Sequence, residues 1–139
     1  MLSPTRHNNP LIGLIDATSR IRGRLKSAFA QSVANTGLTE MEMTVLNAAA
    51  EANTPPTVPQ IGRALGHPRQ VIQRAANSLI EAGLINAEAN PDHKRAVLLI
   101  PTEKGNALKH KANARANKIA DDLLHGIDVS LVIEASQKL

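Results

Sequence analysis

The stretch TVPQIGRALGHPRQVIQRAANSLIEAGLINAEANPDHKRAVLLIPTEKG, from Thr57 to Gly105, constrains the fold more than any other part of the chain. Thr57 with Gln60 makes a capping-box pattern, and Ile61, Ala64 and Leu65 form the inward side of a short helix. Gly66 makes a tight turn, and Pro68 suits the first position of the next helix. Val71, Ile72, Ala75, Leu79 and Ala82 line one face of that second helix. Gly83 fits the left-handed residue that ends it, with Leu84 folding back as its apolar partner. Ile85 opens a short strand running to about Ala89. Asn90-Pro91-Asp92 is a turn signal. Ala96 to Ile100 is a β-favouring run that pairs back, and Pro101 marks its end.

Longer helices flank this stretch. Asn9-Pro10 is a helix start, with a capping side chain before proline. Leu11, Leu14, Ile15, Ile21, Leu25, Ala28, Phe29 and Val33 recur at helical spacing up to Gly37. Gly23 weakens this helix slightly. Thr39 and Glu42 repeat the capping-box pattern, and Met43, Leu46, Ala49 and Ala50 give the next helix its apolar face. Asn53-Thr54-Pro55-Pro56 breaks it. Thr102 caps a long helix running to about Leu124, with an apolar stripe of Leu108, Ala112, Ala116, Ile119 and Leu123. Lys104, Lys111, Arg115 and Lys118 share another of its faces. Gly126 breaks the chain, and Asp128 caps a last short helix containing Leu131, Val132 and Ala135.

At 139 residues the chain suits one domain with a real core. Phe29 is its one aromatic residue, so that core must be Leu, Ile, Val and Ala. The same shortage argues against a base-stacking platform for RNA or single strands. There is no cysteine, which excludes disulfides, thiolate metal sites and cysteine nucleophiles. No Gly-rich phosphate loop or Ser, His and acid motif is present, so an enzyme is not expected. No apolar run approaches the roughly 20 residues needed to span a bilayer, and MLSPTRHNNP has no apolar signal region. The expectation is a cytoplasmic protein with no membrane partner.

The net charge is +4, a balance that suits a nucleic-acid partner. The two short helices can pack steeply around Ile61, Gly62, Leu65, Ile72 and Ala75, turning at Gly66. That leaves Arg69, Gln70, Gln73, Arg74 and Asn77 projecting outward. Glutamine can bond adenine through both ends of its amide, and arginine can bond guanine or a phosphate. The hairpin tip carries His93, Lys94 and Arg95, suited to the negative potential of a minor groove. The fold expected is therefore mainly α with a small β-hairpin wing, a winged helix-turn-helix. The candidate DNA-binding residues are Thr57, His67, Arg69, Gln70, Gln73, Arg74, Asn77, His93, Lys94 and Arg95, with His67 placed to cap the recognition helix or touch phosphate. A winged helix serving only as a protein-interaction module is the competing reading, but it has no need of a basic recognition helix and wing.

Three segments carry a resemblance to the MarR family of bacterial transcriptional regulators: LTEMEMTVLNAAA from Leu38, QIGRALGHPRQVIQRAANSLIEAGLI from Gln60, and DHKRAVLLIPTEKG from Asp92. The order and spacing of the segments are more specific than any one of them. The resemblance implies a DNA-binding part over 39–102, with helices over 10–36 and 103–139 that interlock two copies into a homodimer. It also implies a double-stranded, pseudo-palindromic operator and a repressor that releases DNA when a small-molecule effector binds. The chain departs from the family pattern at two places. His93 stands where the wing aspartate usually sits, with Asp92 one residue early, and Pro101 replaces the leucine before Thr102.

No cofactor or metal is expected. His7, His67, His93, His110 and His125 contain no pair at helical ligand spacing. Asp121 with His125, beside Asp122, reads more simply as a helix-end surface pair. Arg20 with Arg24 and Arg22 with Lys26 point to different sides of the first helix, and Asp16 can pair with Arg20.

Overall fold

A computed structural model describes residues 9–125 and 128–138. Gly126, read above as a chain break, and His7 lie outside the described residues. The elements in chain order are α1 (Pro10–Ala34), α2 (Glu40–Glu51), α3 (Val58–Leu65), α4 (Arg69–Glu81), β1 (Ile85–Glu88), β2 (Leu98–Pro101), α5 (Glu103–Leu124) and α6 (Val129–Lys138). The chain divides after Gln31 into two compact units.

The first unit carries most of α1. Asn9 caps it as the sequence implies, its Oδ1 accepting from the Leu11 amide at 2.9 Å. Asp16 and Arg20 pair at 3.2 Å, one helical turn apart. Leu11, Leu14, Ile15, Ile21 and Leu25 are exposed along it.

The second unit closes on an aliphatic core. Met43, Val45, Leu46 and Ala49 of α2 are buried with Val58 and Ile61 of α3, Ile72, Ala75, Ala76 and Leu79 of α4, Leu84, Ile85, Leu99, and Ala112 of α5. Small residues set the close approaches. A methyl group on Gly105 would lie 2.1 Å from the Leu84 carbonyl oxygen, so only glycine lets α5 start against the end of α4. Gly66 (φ 69°) turns the chain between α3 and α4. At the end of α4 the amides of Gly83 and Leu84 donate to Ile80 and Leu79, the double bond that folds Leu84 back into the core.

Caps set the other boundaries. Thr57 and Gln60 form the reciprocal capping box at α3. Thr39 accepts from the Glu42 amide, but its hydroxyl donates to the Glu42 carboxylate rather than leaving that group to bond the backbone. Thr102 accepts from the Gly105 amide and caps α5.

Some expected core positions are solvent-facing. Ala64, Leu65, Val71 and Ala82 are all exposed. Leu65 keeps the helical phase of Val58 and Ile61, but α4 crosses α3 earlier, at Gly62, where Ile72 packs. The last turn of α3 therefore runs past its cover. Val71 lies one residue outside the buried line of Ile72, Ala75, Ala76 and Leu79. The second strand also shifts. Ala96 and Val97 belong to the wing loop, and β2 takes in Pro101, paired with Ile85 at the end of the antiparallel ladder. Two consecutive turns hold Ala96 in the loop: the His93 amide donates to Asn90, and the Ala96 amide to His93. Pro101 is tolerated because it closes a two-stranded sheet at its end. The Leu99 amide donates to the Pro56 carbonyl at 2.8 Å, which ties the hairpin to the α2–α3 linker.

Candidate nucleic-acid interface

Gly66 and the crossing at Gly62 bring α4 across α3 with its first two turns facing outward. Arg69, Gln70, Arg74 and Asn77 are exposed and Gln73 is half-buried. With Ser78 and Glu81 they line an open furrow of about 650 Å3 along the outer side of the helix. Gln73 donates from Nε2 to Asn77 Oδ1 at 2.9 Å, one turn on. That bond restrains the Gln73 amide and leaves its oxygen and one N–H unused.

No side chain caps the start of α4. The Val71 and Ile72 amides donate to the Pro68 carbonyl, which leaves the amides of Arg69 and Gln70 for an outside acceptor, and the positive end of the helix favours an anion there. Of the two roles expected of His67, it does not cap the helix, which leaves contact with a phosphate. Its own amide donates to Gly62 at 3.0 Å, and it stands half-buried in the turn between the helices. Thr57 is buried, and its hydroxyl accepts from the Gln60 amide. It positions α3 and presents no surface to a partner.

The wing loop runs from 89 to 97 and holds His93, Lys94 and Arg95 in full exposure. The Asn90 side chain accepts from the Asp92 amide at 3.0 Å, which fixes the turn. Among the described residues no ion pair joins Asp92 to Arg95. Among those residues Lys94 and Arg95 have no hydrogen bond or ion pair.

Sequence reasoning missed Val71. It is 40% exposed on the flank of the same helix face, an apolar group beside Arg74. Its neighbours Ile72 and Ala75 hid it, since a run of adjacent apolar residues does not say which one leaves the buried line.

Among the described residues no group of three His, Asp or Glu side chains gathers as a metal ligand set. No helix there is long and apolar enough to cross a membrane.

A family model for the MarR family matches residues 36–96, the span from the end of α1 through the wing loop. Over that span the chain is similar to the MarR family. An uncharacterized protein of Mycobacterium tuberculosis, Rv2011c, is 40% identical over 72 residues, 52% of this chain. The chain spans about half the length of the curated relatives it matches. A MarR-family transcriptional regulator from Rhodococcus sp. RHA1 superposes with a TM-score of 0.82 at 23% identity, covering 95% of this chain and 93% of that one. CouR from Rhodococcus jostii RHA1, solved with p-coumaroyl-CoA, gives 0.78 at 23% identity, covering 96% and 92%. These likenesses show that the chain has the MarR winged-helix fold. The first of these two structures is that of a transcriptional regulator.

Proposed function

We propose that this protein is a sequence-specific, double-stranded-DNA-binding transcriptional regulator, acting in the cytoplasm as a homodimeric, ligand-responsive repressor. The observation that carries this reading is the outer face of α4: Arg69, Gln70, Gln73, Arg74 and Asn77 stand together beside an uncapped helix start. The free oxygen and N–H of Gln73 are the pair that adenine takes in the major groove. Arg69 and Arg74 suit guanine or phosphate, and Val71 offers methyl groups to a thymine methyl. Lys94 and Arg95 supply cations to a minor groove or its phosphates. His93 is exposed beside them. Thr57 is left out of the contact set, since its hydroxyl is engaged inside the fold.

The exposed apolar residues of α1 and of α6 support a second copy as the partner. A two-fold dimer matches a pseudo-palindromic operator with half-sites about one helical turn apart. CouR supplies the precedent for an effector.

Selection of bound sequences from a random duplex pool tests the reading. The expected result is enrichment of an inverted repeat, with affinity that falls steeply as salt rises. Recovery of an unenriched pool would leave the winged helix as a protein-interaction module and sink the operator reading.

A further inference from the structure

Glu81 is the least expected member of the furrow on α4. It is the last residue of the helix, where the negative end of the dipole disfavours a carboxylate. It also lines the face proposed to meet DNA, where phosphates would repel it. Among the described residues its carboxylate has no hydrogen bond or ion pair. Neither the stability of the helix nor a cation partner accounts for an acid at this position.

The direction of one hydrogen bond gives Glu81 a use. Gln73, Asn77 and Glu81 line the furrow one helical turn apart, so each neighbours the next. Gln73 Nε2 donates to Asn77 Oδ1 at 2.9 Å. An ionised carboxylate accepts and never donates. Its charge favours the Asn77 Nδ2 group, not Oδ1, on the side of Asn77 nearer Glu81. Glu81 does this by its field, without a hydrogen bond to Asn77. Oδ1 is then left for Gln73, which must donate to it. Gln73 keeps its oxygen and one N–H to show outward, an acceptor beside a donor. That is the complement of adenine N6 and N7. With Asn77 reversed, Gln73 would accept through its oxygen and show two N–H groups. A pure donor suits guanine O6 and N7, as a lysine ammonium does.

We propose that Glu81 is a positioning residue: through Asn77 it fixes which way round the Gln73 amide faces, and so makes Gln73 a reader of adenine and not of guanine. This role rests on the DNA-binding reading of α4 and adds the source of its base choice. Two residues of the furrow set that choice by their polarity, whether or not either one touches DNA.

The test is selection from a random duplex pool, run on the intact protein and its variants, followed by competition binding against single-base variants of the operator. Gln73→Ala marks the position that Gln73 reads, as the one whose base preference it loses. In the wild type that position should hold adenine. Asn77→Ala frees the Gln73 amide and should cut the preference for adenine over guanine there about tenfold, within the discrimination of one bidentate contact. Asn77→Asp still offers Gln73 only an acceptor. It should weaken binding to every duplex by its charge yet keep the adenine preference. Glu81→Lys puts a donor in place of the acceptor. It should tighten binding to every duplex and move the preference at that one position toward guanine. A residue that only stabilised α4 would change affinity and leave the chosen base alone. The role of the pair is overturned by any base other than adenine at that position in the wild type, by no position responding to Gln73→Ala, by loss of the adenine preference in Asn77→Asp, or by its full retention in Asn77→Ala or Glu81→Lys. Each of those results leaves the operator reading intact. An unenriched wild-type pool would overturn both.

Discussion

Leu46, Ile72, Leu79, Ile85 and Leu99 are closed off from solvent, while Leu11, Ile15, Leu131 and Ile133 stand more than half exposed. The side chains are the same in kind. Those of the winged part meet one another across α2, α3, α4 and the hairpin, so their burial is complete within one chain. Those of α1 and α6 stand exposed among the described residues. Exposed apolar area on this scale marks a surface meant for contact. Each buried aliphatic side chain contributes about 1.5–3 kcal/mol relative to exposure. The first group therefore supports folding of the protomer, and the second is the surface that the proposed dimer would bury.

The largest effect that can break this contrast comes from the core. Leu79→Ala should lower the unfolding free energy by about 2–5 kcal/mol, since it opens a cavity in a closed aliphatic site. Leu131→Ala should change protomer folding by no more than about 0.5 kcal/mol but should weaken self-association. Denaturation at several protein concentrations, read beside sedimentation, separates the two. A wild-type protein that sediments as a stable monomer at micromolar concentration, yet binds duplex tightly, would end the dimer reading and leave the exposed stripes unexplained.

A second contrast lies within the proposed DNA-binding surface, between a face held in place and one that is not. Gln73 is braced by Asn77, and its helix is packed on the core through Ile72, Ala75 and Leu79. Gln73→Ala and Arg74→Ala should each reduce discrimination between operator and mismatched duplex by about 1–3 kcal/mol, if each contact is bidentate to a base. Competition binding against single-base variants measures this. Wild-type preference in both variants would mean that another face reads the sequence.

Arg95 is the opposite case. It stands on an exposed loop, and among the described residues no ion pair orients it. Arg95→Ala should weaken binding to all duplexes alike and make the salt slope shallower by about one unit. An unchanged slope and affinity would mean that Arg95 does not touch DNA.

Much of this was legible before the structure. Asn9, Thr39, Thr57, Thr102, Gly66 and Gly83 mark helix ends by local chemistry, so the order and limits of the helices followed from the chain. The wing cations were legible by composition. What failed was anything decided by where one element ends against another. Leu65 has the right phase and no cover. Val71 sits one position off the buried line. Thr57 looked like a surface hydroxyl, but the capping box that the same residues announced had already engaged it. His67 offered a cap by proximity alone, and the turn at Gly66 uses its backbone instead. Ala96 and Val97 have strand propensity, but two hydrogen-bonded turns hold the loop open past them.

The smallest expected effect concerns the start of α6, the element least supported by the core. The Asp128 carboxylate accepts from the Ser130 hydroxyl at 2.6 Å and from the Ser130 amide at 3.0 Å. The hydroxyl bond first, and the amide bonds after it, hold its pKa below the ordinary aspartate value. A group whose folded pKa is depressed stabilises the folded form above its unfolded pKa. That contribution is lost as pH falls from about 4 through the folded value. Acidification should therefore fray α6 before it disturbs the winged part. Amide exchange at Ser130 and Leu131, followed against pH with Val45 and Leu46 as the internal reference, reports this directly. Asp128→Asn should keep the cap and lose the pH dependence, because an asparagine oxygen accepts the same bonds without titrating. Asp128→Ala should fray α6 at every pH. If Ser130 in the wild type stays as protected at the lowest pH as in Asp128→Asn, the charge of the carboxylate does not hold the helix start. The stability of α6 must then come from its apolar residues, which the proposed dimer would bury.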